Sequence, residues 1–325
     1  FLANELFGDY GLVILDADDA RLKFKFSKQI KNDLVYHTAF RQIEKQSDKL
    51  SKLGYSVQVN PREINLFYLH EKTRSRIVQK DENYYVLDTD LKFTKAEVLD
   101  LVDLHPERFS PNVALRPLYQ EVILPNLAYI GGGGELAYWL ELKSYFKAEK
   151  MTFPSLVLRN SVLLYSDKTS SKLNTLNAKI QDLFLSPEEL EAQHTKKHSK
   201  IDINFGKQKQ VLEKQFEDLY ELAKNTDKSF YGAVAAQEKK QKNGLDHLEK
   251  RLLKAQKRRL KSENELVLKI QTVLFPKRSL QERSLNFSEI YIDYGARLIP
   301  KLMEELDPFQ MKFLCLELTI YNKKH

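Results

Sequence analysis

Four consecutive glycines, Gly131 to Gly134, separate an apolar, strand-like run at 126–130 from a helical pattern that begins at Glu135. Glycine is needed where the backbone takes a positive φ or approaches a ligand without a Cβ in the way. A strand that leads through such a turn into a helix presents free N–H groups to an anion. The run matches neither the dinucleotide pattern GxGxxG nor the phosphate-loop pattern GxxxxGK(S/T). It therefore predicts a strand–turn–helix unit whose turn either holds a phosphate or carboxylate or is a tight structural turn.

The residues before this turn alternate between strand-like and helix-like patterns, which is typical of an α/β fold. Gly11 to Leu15 is a short apolar run that predicts a buried strand. Asp16, at its end, could hold a cation or a ribose, or could cap a turn. Apolar residues at helical spacing follow and end at Gly54, a favourable C-terminal cap. Short β-rich pieces between 55 and 92, the first of them Tyr55 to Val59, predict a small meander inserted in the chain.

The second half is helical almost to its end. Ser186, followed by a proline and two glutamates, is a typical helix start. Two long stretches, 203–224 and 228–276, are joined by a predicted turn at 225–227, and at about 1.5 Å per residue the second would form a rod of roughly 70 Å. The predicted apolar seam contains Leu212, Phe216, Leu219, Ala223, Leu245, Leu248, Leu252, Ala255, Leu266 and Val273, and Arg259 and Ser262 interrupt it. This spacing predicts an antiparallel coiled coil with imperfect packing.

After the rod, the tail from Ser279 predicts two more helices, broken at Asp307-Pro308, with Cys315 on a buried face. Cys315 is the only cysteine, which excludes an internal disulfide and a cysteine-based zinc site and fits a reducing cytoplasm. A mean hydropathy of −0.49, with no apolar run of about 20 residues, argues against a membrane span.

Positive charge is concentrated in the helical half. The segment 196–283 holds 22 Lys and Arg against 12 Asp and Glu, a surplus larger than the net charge of +7, so the rest of the chain is slightly acidic. A solvated helix surface accounts for such a pattern, and an arm that touches RNA or another polyanion is the alternative.

Motifs for catalysis or metal binding are incomplete. His194 and His198 share one helical face, but the residues between them are Thr-Lys-Lys, without the glutamate of a zinc-protease motif, so we predict no metal there. Neither a nucleophile elbow nor a phosphate loop occurs in the sequence. The residues therefore identify no complete catalytic constellation.

The run from Arg116 to Lys143, which contains the glycine turn, closely resembles the signature stretch of the bacillithiol biosynthesis cysteine-adding enzymes. Three further segments agree with that family in order: 7–16, the coiled-coil region, and 274–283 with its Leu-Gln-Glu-Arg sequence. The resemblance covers nearly the whole chain. It implies a Rossmann-like core with connective insertions, as in class I aminoacyl-tRNA synthetases, and a coiled coil involved in dimerisation.

The fold class implied is α/β: a partial Rossmann-like core with a small β-rich insertion, followed by a long antiparallel α-helical coiled coil and C-terminal helices. The expected segments are 1–54 and 93–185 for the core, 55–92 for the insertion, 186–276 for the coiled-coil arm and 277–325 for helices that pack on the core. Family members are much longer at the N-terminus, so the chain resembles the C-terminal portion of such an enzyme. We expect that portion alone to be inactive.

The implied reaction is addition of cysteine to glucosaminyl-malate, which yields the thiol bacillithiol in the cytoplasm. Joining an amine to the cysteine carboxyl is uphill in water, so activation is expected, with ATP or ADP as a candidate cofactor. The implied partners are cysteine, glucosaminyl-malate and a second copy of the chain. The resemblance implies neither nucleic acid nor a membrane as a partner. The alternatives are a basic coiled-coil module that binds nucleic acid, of synthetase-like type, and a dimerisation scaffold.

The resemblance also suggests roles for individual residues. The glycines would donate backbone N–H groups to an anionic substrate group, and Arg116 would clamp a carboxylate or phosphate or else form a structural ion pair. Lys168 and Lys172 resemble the mobile lysine loop of class I synthetases, while Gln281 and Arg283 would close a pocket or make capping contacts. The candidate binding residues are Asp16, Arg116, Tyr129, Gly131, Gly132, Gly133, Gly134, Glu135, Lys168, Lys172, Gln281 and Arg283. Family members often have proline in place of Gly133, so glycine here loosens the turn without removing its N–H donors.

Overall fold

The computed structural model describes residues 1–319, which divide into two compact units. The first unit comprises Phe1–Asn160 and Leu306–Met311, and the second comprises Ser161–Glu305 and the described residues from Lys312 onward. The first unit contains one large apolar cluster, and the second contains three smaller ones.

The first unit is mixed α/β. Its helices are α1 (Leu2–Phe7), α2 (Ala20–Lys25), α3 (Ser27–Tyr36), α4 (Thr38–Lys52), α5 (Lys95–Leu104), α6 (Arg116–Ile123), α7 (Gly133–Glu141) and α8 (Lys143–Ala148). Its strands are β1 (Leu66–His70), β2 (Thr73–Lys80), β3 (Asn83–Val86), β4 (Lys92–Thr94), β5 (Phe109–Pro111), β6 (Ala128–Gly131) and β7 (Ser155–Leu158).

Strands β1 to β5 form one antiparallel sheet in the order β4-β3-β2-β1-β5. Alternate residues of β1 face the core, where the Tyr68 ring lies 5.4 Å from Phe109 and 5.6 Å from Phe93 between ring centroids. Helices α3 and α4 contribute fully buried Leu34 and Ile43 to the same core. The β-rich pieces predicted after residue 60 are therefore confirmed as a meander with one apolar face.

Two other predicted strands were wrong. Gly11 to Leu15 is not a strand: no described strand pairs with it, and its Val13 side chain is 68% exposed. Tyr55 to Val59 is irregular because the buried Glu141 carboxylate accepts hydrogen bonds from the N–H groups of Gln58 (2.7 Å) and Val59 (3.3 Å). A side chain thus satisfies donors that a neighbouring strand would otherwise pair.

Strands β6 and β7 form a separate parallel pair, with Tyr129 opposite Leu156 and Gly131 opposite Leu158. Helices α7 and α8 lie between them in sequence and provide the crossover that a parallel pair requires. This β-α-β arrangement is the building unit of a Rossmann-like fold and confirms the predicted strand–turn–helix at the glycines.

The second unit is mainly helical. Its helices are α9 (Asp167–Thr175), α10 (Pro187–His198), α11 (Gly206–Lys224), α12 (Lys228–Arg259), α13 (Lys261–Leu274), α14 (Gln281–Ser284), α15 (Phe287–Tyr294) and α16 (Leu298–Glu305), and its strands are β8 (Ser161–Ser166) and β9 (Phe313–Leu318). Within residues 1–319, no helix is both long enough and apolar enough to cross a bilayer.

Helices α11 and α12 form the predicted antiparallel pair. Lys209 near the start of α11 contacts Asp246 (2.7 Å) and Glu249 (2.8 Å) in the second half of α12, whereas Glu213 contacts Lys242 (3.0 Å) nearer its middle. Because later residues of α11 contact earlier residues of α12, the two helices run in opposite directions. These ion pairs also neutralise part of the basic charge of this segment.

The predicted seam of this pair was correct at some positions and wrong at others. Leu212, Phe216 and Ala223 are buried as expected, but Leu219 is 38% exposed and Leu248 is 51% exposed. In a short pair of helices, the buried stripe is narrower than in a coiled coil with an unbroken heptad repeat. Apolar residues at the margin of the stripe therefore remain exposed to solvent.

The seam prediction also failed beyond α12. The helical rod breaks at Leu260, which has ψ near 21°, so α13 starts as a separate helix. Leu266 and Val273 are more than half exposed, and the buried positions of α13 are Asn264, Val267, Gln271 and Leu274. Asn264 and Gln271 can be buried because hydrogen bonds satisfy their amides. A search for apolar periodicity overlooks such residues.

Of the two helices predicted in the tail, the one before the break at Asp307-Pro308 is replaced by three short helices, α14, α15 and α16, and the one after the break is wrong, because the chain there forms strand β9. β9 pairs in parallel with β8, with Cys315 opposite Leu163, and the apolar run is explained by this pairing. Cys315 is half-buried, and burial raises the pKa of its thiol. The last six residues of the predicted segment 277–325 lie outside the described residues.

Candidate functional site

The glycine turn lies where β6 leads into α7. Gly131 ends the strand, and its carbonyl accepts a hydrogen bond from the Arg159 N–H at 2.9 Å. A Cβ on Gly131 would lie 2.7 Å from Cε1 of Tyr129, which is too close. None of the four glycines has a positive φ, so Gly131 is required by the close approach of the Tyr129 ring and not by backbone conformation.

The remaining glycines form the start of helix α7. Gly132 is the N-cap residue, and its N–H donates to Oε2 of Glu135 at 2.8 Å. Gly133 and Gly134 are exposed, and a Cβ on either would meet nothing within 4 Å. Their N–H groups have no acceptor among residues 1–319. Two of the four predicted donors are therefore open at the positive end of a helix, where an anion is favoured.

Aromatic rings form one wall of the turn. Tyr129 stacks on the buried Trp139, with ring centroids 4.0 Å apart and ring planes inclined by 24°. Burial, together with the nearby Tyr138 and Glu135, raises the pKa of Tyr129 to about 12. Tyr129 is therefore a neutral phenol at physiological pH, and its ring holds the strand end in place.

Arg116 is the first residue of α6 and is exposed. Its Nη1 donates to Oε1 of Gln120 at 3.3 Å, and no carboxylate within residues 1–319 lies at ion-pair distance from its guanidinium. The structural ion pair considered as an alternative role is not seen in the described part of the chain. The planar fork keeps most of its donors for a carboxylate or phosphate.

Asp16 belongs to an exposed turn, where its Oδ1 accepts a hydrogen bond from the Asp18 N–H at 3.0 Å. This is the capping role that the sequence left open. The Tyr119 hydroxyl of α6 donates to the Ala17 carbonyl at 2.8 Å and attaches α6 to the turn. The structure therefore places the helix that carries Arg116 beside the Asp16 turn.

Four of the candidate residues lie in the second unit. Lys168 and Lys172 are exposed on α9, and Lys172 lines a cavity of about 420 Å³ together with Lys269 of α13. Arg283 is exposed on α14. Gln281 is buried, and its amide pairs with both backbone groups of Leu164 in β8, donating to the carbonyl and accepting from the N–H at 2.9 Å each. These two bonds give Gln281 a structural role.

Sequence reasoning overlooked two buried glutamates that position the turn. The carboxylate of Glu121 accepts from the Asn126 N–H at 2.8 Å and from its Nδ2 at 2.9 Å, which fixes the connection from α6 to β6. Glu141, at the end of α7, accepts from the Ser47 hydroxyl at 3.0 Å as well as from the 58–59 backbone. An acidic residue on the apolar face of a helix is the sequence signal for such a role.

Two family models together match almost all of the described chain. The N-terminal Rossmann-like domain of bacillithiol biosynthesis BshC matches residues 1–160, and the C-terminal coiled-coil domain of BshC matches residues 162–318. The chain belongs to the BshC family. The division between the two BshC domains falls between β7 and β8, where the two compact units also divide.

Curated relatives in the BshC family carry the name "Putative cysteine ligase BshC". The protein from Christiangramia forsetii is 58% identical over 313 residues, which is 96% of this chain and 58% of that relative. The protein from Flavobacterium johnsoniae is 52% identical over 96% of this chain and 59% of its own length. The protein from Cytophaga hutchinsonii is 35% identical over 97% of this chain and 60% of its length. The chain thus spans somewhat less than two thirds of these relatives.

Proposed function

We propose that the protein to which this chain belongs is a cysteine ligase of bacillithiol biosynthesis that joins cysteine to glucosaminyl-malate. The observation that carries the proposal is the match of both BshC domain models, in order, along one chain. The single cysteine and the thiol substrate fit a reducing compartment, so we place the reaction in the cytoplasm.

The proposed reaction requires the protein to bind an anionic substrate and to exclude water from the activated carboxyl of cysteine. An N–C bond forms between the substrate amine and the cysteine carbonyl carbon, the activating group leaves with its electron pair, and the amine loses a proton. The exposed N–H groups of Gly133 and Gly134 would bind an anionic oxygen of one reactant, because they meet it at a helix N-terminus. A substrate carboxylate and a phosphate share this chemistry.

Arg116 would provide the second contact with the anion. The connection from α6 to β6 is short and braced by Glu121. We expect a helix and strand joined in this way to run in opposite directions, which places Arg116 at the same end of the unit as the glycine turn. A guanidinium and two backbone N–H groups together match the geometry of a carboxylate or phosphate.

The test is an assay of the intact protein with cysteine, glucosaminyl-malate and ATP, in which the thiol product is measured by mass spectrometry. Arg116→Ala should lower kcat/KM by about 10- to 100-fold, the range for loss of one charged hydrogen bond of about 1.5–3 kcal/mol. Arg41→Ala, at an exposed arginine of α4, is the matched control and should match wild type. No product from the wild-type protein would overturn the proposed reaction, and full turnover by Arg116→Ala would overturn the site.

We also propose that a second copy of the chain packs on the α11–α12 pair. Val211 and Leu248 are 58% and 51% exposed and line an open groove between these helices, beside Gly244. Exposed apolar residues that line one groove are typical of a helical interface.

Light scattering after size exclusion tests this interface. Val211→Glu combined with Leu248→Glu should convert a dimer to a monomer at micromolar concentration, because burying two carboxylates without partners is costly. Ile292→Glu, at an apolar position of α15 that is 81% exposed, should leave the dimer intact. A monomeric wild-type protein, or a dimeric double variant, would contradict the proposal.

A further inference from the structure

Three side chains that bind metals well converge where helices α10 and α13 of the second unit pack together. His194 and His198 lie one turn apart on α10, with ring centroids 4.3 Å apart and planes inclined by 28°. Glu263 of α13 faces them, and one ligand atom from each of the three residues lies within 4.8 Å of the other two. The sequence brought only the two histidines together, and tertiary packing adds the carboxylate.

The surroundings of His194 determine which of its nitrogens is available. The ring is 3% exposed, and Nδ1 lies 2.9 Å from Oδ1 of Asn264, whose Nδ2 donates to Oγ1 of Thr195 at 2.9 Å. With Nδ1–H donating to Asn264, Nε2 is the nitrogen available to a metal. A metal-bound histidine almost always donates its other ring N–H to an oxygen acceptor, and the Asn264 amide oxygen has that position here.

Nε2 of His194 lies 3.3 Å from the Leu176 carbonyl oxygen. In the tautomer with the hydrogen on Nε2, that nitrogen donates a hydrogen bond to the carbonyl oxygen. A cation bound at Nε2 would replace this hydrogen.

His198 has an unsatisfied nitrogen at the same place. Its Nε2 is buried and has no hydrogen-bond partner among residues 1–319. Burial, with the nearby His194 and Lys197, lowers the pKa of His198 against the opposing effect of Glu263. The Lys197 ammonium donates to the Asn177 carbonyl, and so has a partner other than the three ligands.

We propose that His194, His198 and Glu263 bind one zinc-class divalent cation that ties α10 to α13. Two imidazole nitrogens and one carboxylate oxygen are a common zinc donor set, and a water completes four-fold coordination. Ligands of a tetrahedral zinc lie about 3.3 Å apart, given metal–ligand distances of about 2.0–2.1 Å. Binding therefore draws the cluster together, and the exposed Glu263 side chain can rotate to do so.

Such a site has a structural consequence for the second unit. The three ligands come from two helices that also share an apolar cluster through Leu190 and Val267, and that make polar contacts, among them the His194–Asn264–Thr195 chain. A metal that binds the folded arrangement and not the unfolded chain stabilises the fold in proportion to its occupancy. The proposal does not depend on the ligase activity, because it concerns metal content and stability.

The test is a zinc titration of the intact protein after treatment with a chelator, by competition with a chromophoric chelator, together with metal analysis and thermal unfolding. Wild-type protein should bind one zinc per chain and unfold at a higher temperature when zinc is present. His198→Gln and Glu263→Gln should each weaken zinc binding by at least about tenfold and abolish the rise in Tm.

Matched controls separate this site from other histidines and acids. His247→Gln on α12 and Glu265→Gln on α13 change exposed residues outside the cluster and should bind zinc like wild type. Glu263 is exposed, so Glu263→Gln is expected to fold even if His198→Gln does not. Wild-type protein without one zinc per chain, or Glu263→Gln with unchanged affinity and unchanged rise in Tm, would overturn the proposal.

Discussion

Within residues 1–319, two junctions lead from a strand of a parallel pair into a helix, and the helix N-terminus is open in one and capped by side chains in the other. At β6–α7 the first turn consists of glycines, and the N–H groups of Gly133 and Gly134 stay open. At β8–α9 side chains close the first turn. The Ser166 hydroxyl accepts from the Thr169 N–H at 3.3 Å, and the Asp167 carboxylate accepts from the Lys168 N–H at 2.7 Å.

The comparison shows that the strand-to-helix geometry alone does not make a binding site. Both helices have the same partial positive charge at their start. The difference is whether a serine or an aspartate side chain accepts hydrogen bonds from the first N–H groups of the helix. The β6–α7 junction lacks those side chains, so it is the one where a ligand can replace them.

The largest expected effect is on stability and comes from Gln281, which holds strand β8 at the β8–α9 junction. Gln281→Ala removes both partners of the Leu164 backbone, leaving a buried N–H and carbonyl unpaired, and should lower the free energy of unfolding by roughly 2–6 kcal/mol. Urea unfolding measures the change. The exposed Gln210→Ala on α11 should stay within about 0.5 kcal/mol of wild type. A Gln281→Ala protein as stable as that control would show that β8 needs no such brace.

The next effect is on the open junction. Gly134→Val should keep the fold, because a Cβ there meets nothing within 4 Å, but its branched side chain would cover the N–H groups that we propose as the anion site. We expect kcat/KM of the intact enzyme to fall about 100-fold, equivalent to about 2.7 kcal/mol. Gly232→Val on α12 makes the same change at an open helical position and should retain activity. Equal turnover by both variants would remove the turn from the site.

Alanine substitutions at two glycines of the turn, Gly131 and Gly134, should change the free energy of unfolding in opposite directions. Gly131→Ala places a Cβ 2.7 Å from the Tyr129 ring and should destabilise the protein by about 1–3 kcal/mol. Gly134→Ala should be neutral or stabilising by up to about 1 kcal/mol, since alanine is the better helix former. Chemical denaturation of the two variants side by side measures both. If Gly131→Ala costs nothing, the ring contact is not the reason for glycine.

The smallest effect tests the cap of the closed junction. Ser166→Ala removes the acceptor for the Thr169 N–H and should cost about 1 kcal/mol of stability. Because this N-terminus is not proposed to bind substrate, the KM for the proposed substrate, glucosaminyl-malate, should not change. A raised KM with unchanged stability would mean that the second junction also meets the substrate.

Local patterns predicted much of the fold. The helix start predicted at Ser186 is the N-cap of α10, where the Ser186 hydroxyl accepts from the Glu189 N–H at 3.3 Å, and the glycine turn joins a strand to a helix as its flanks indicated. These features depend on residues three or four positions apart, and the sequence shows such residues directly.

Predictions that needed a distant partner were less successful. Gly11 to Leu15 has strand-like residues but no described partner strand, and the run around Cys315 became a strand only by pairing with β8. The α13 seam was misplaced because Asn264 and Gln271 are polar and are buried through bonds to distant groups. Apolar periodicity carries no information about such bonds.

By itself the sequence determined most of the helices, most strands, the antiparallel helix pair and the position of the glycine turn, because short-range capping, spacing and backbone freedom govern these. Only the tertiary structure decided that the Gln281 amide pairs with the Leu164 backbone and that Glu263 meets the histidine pair. The physical reason is that whether a polar group is satisfied depends on which residues packing brings to it, and those residues lie far away in the chain.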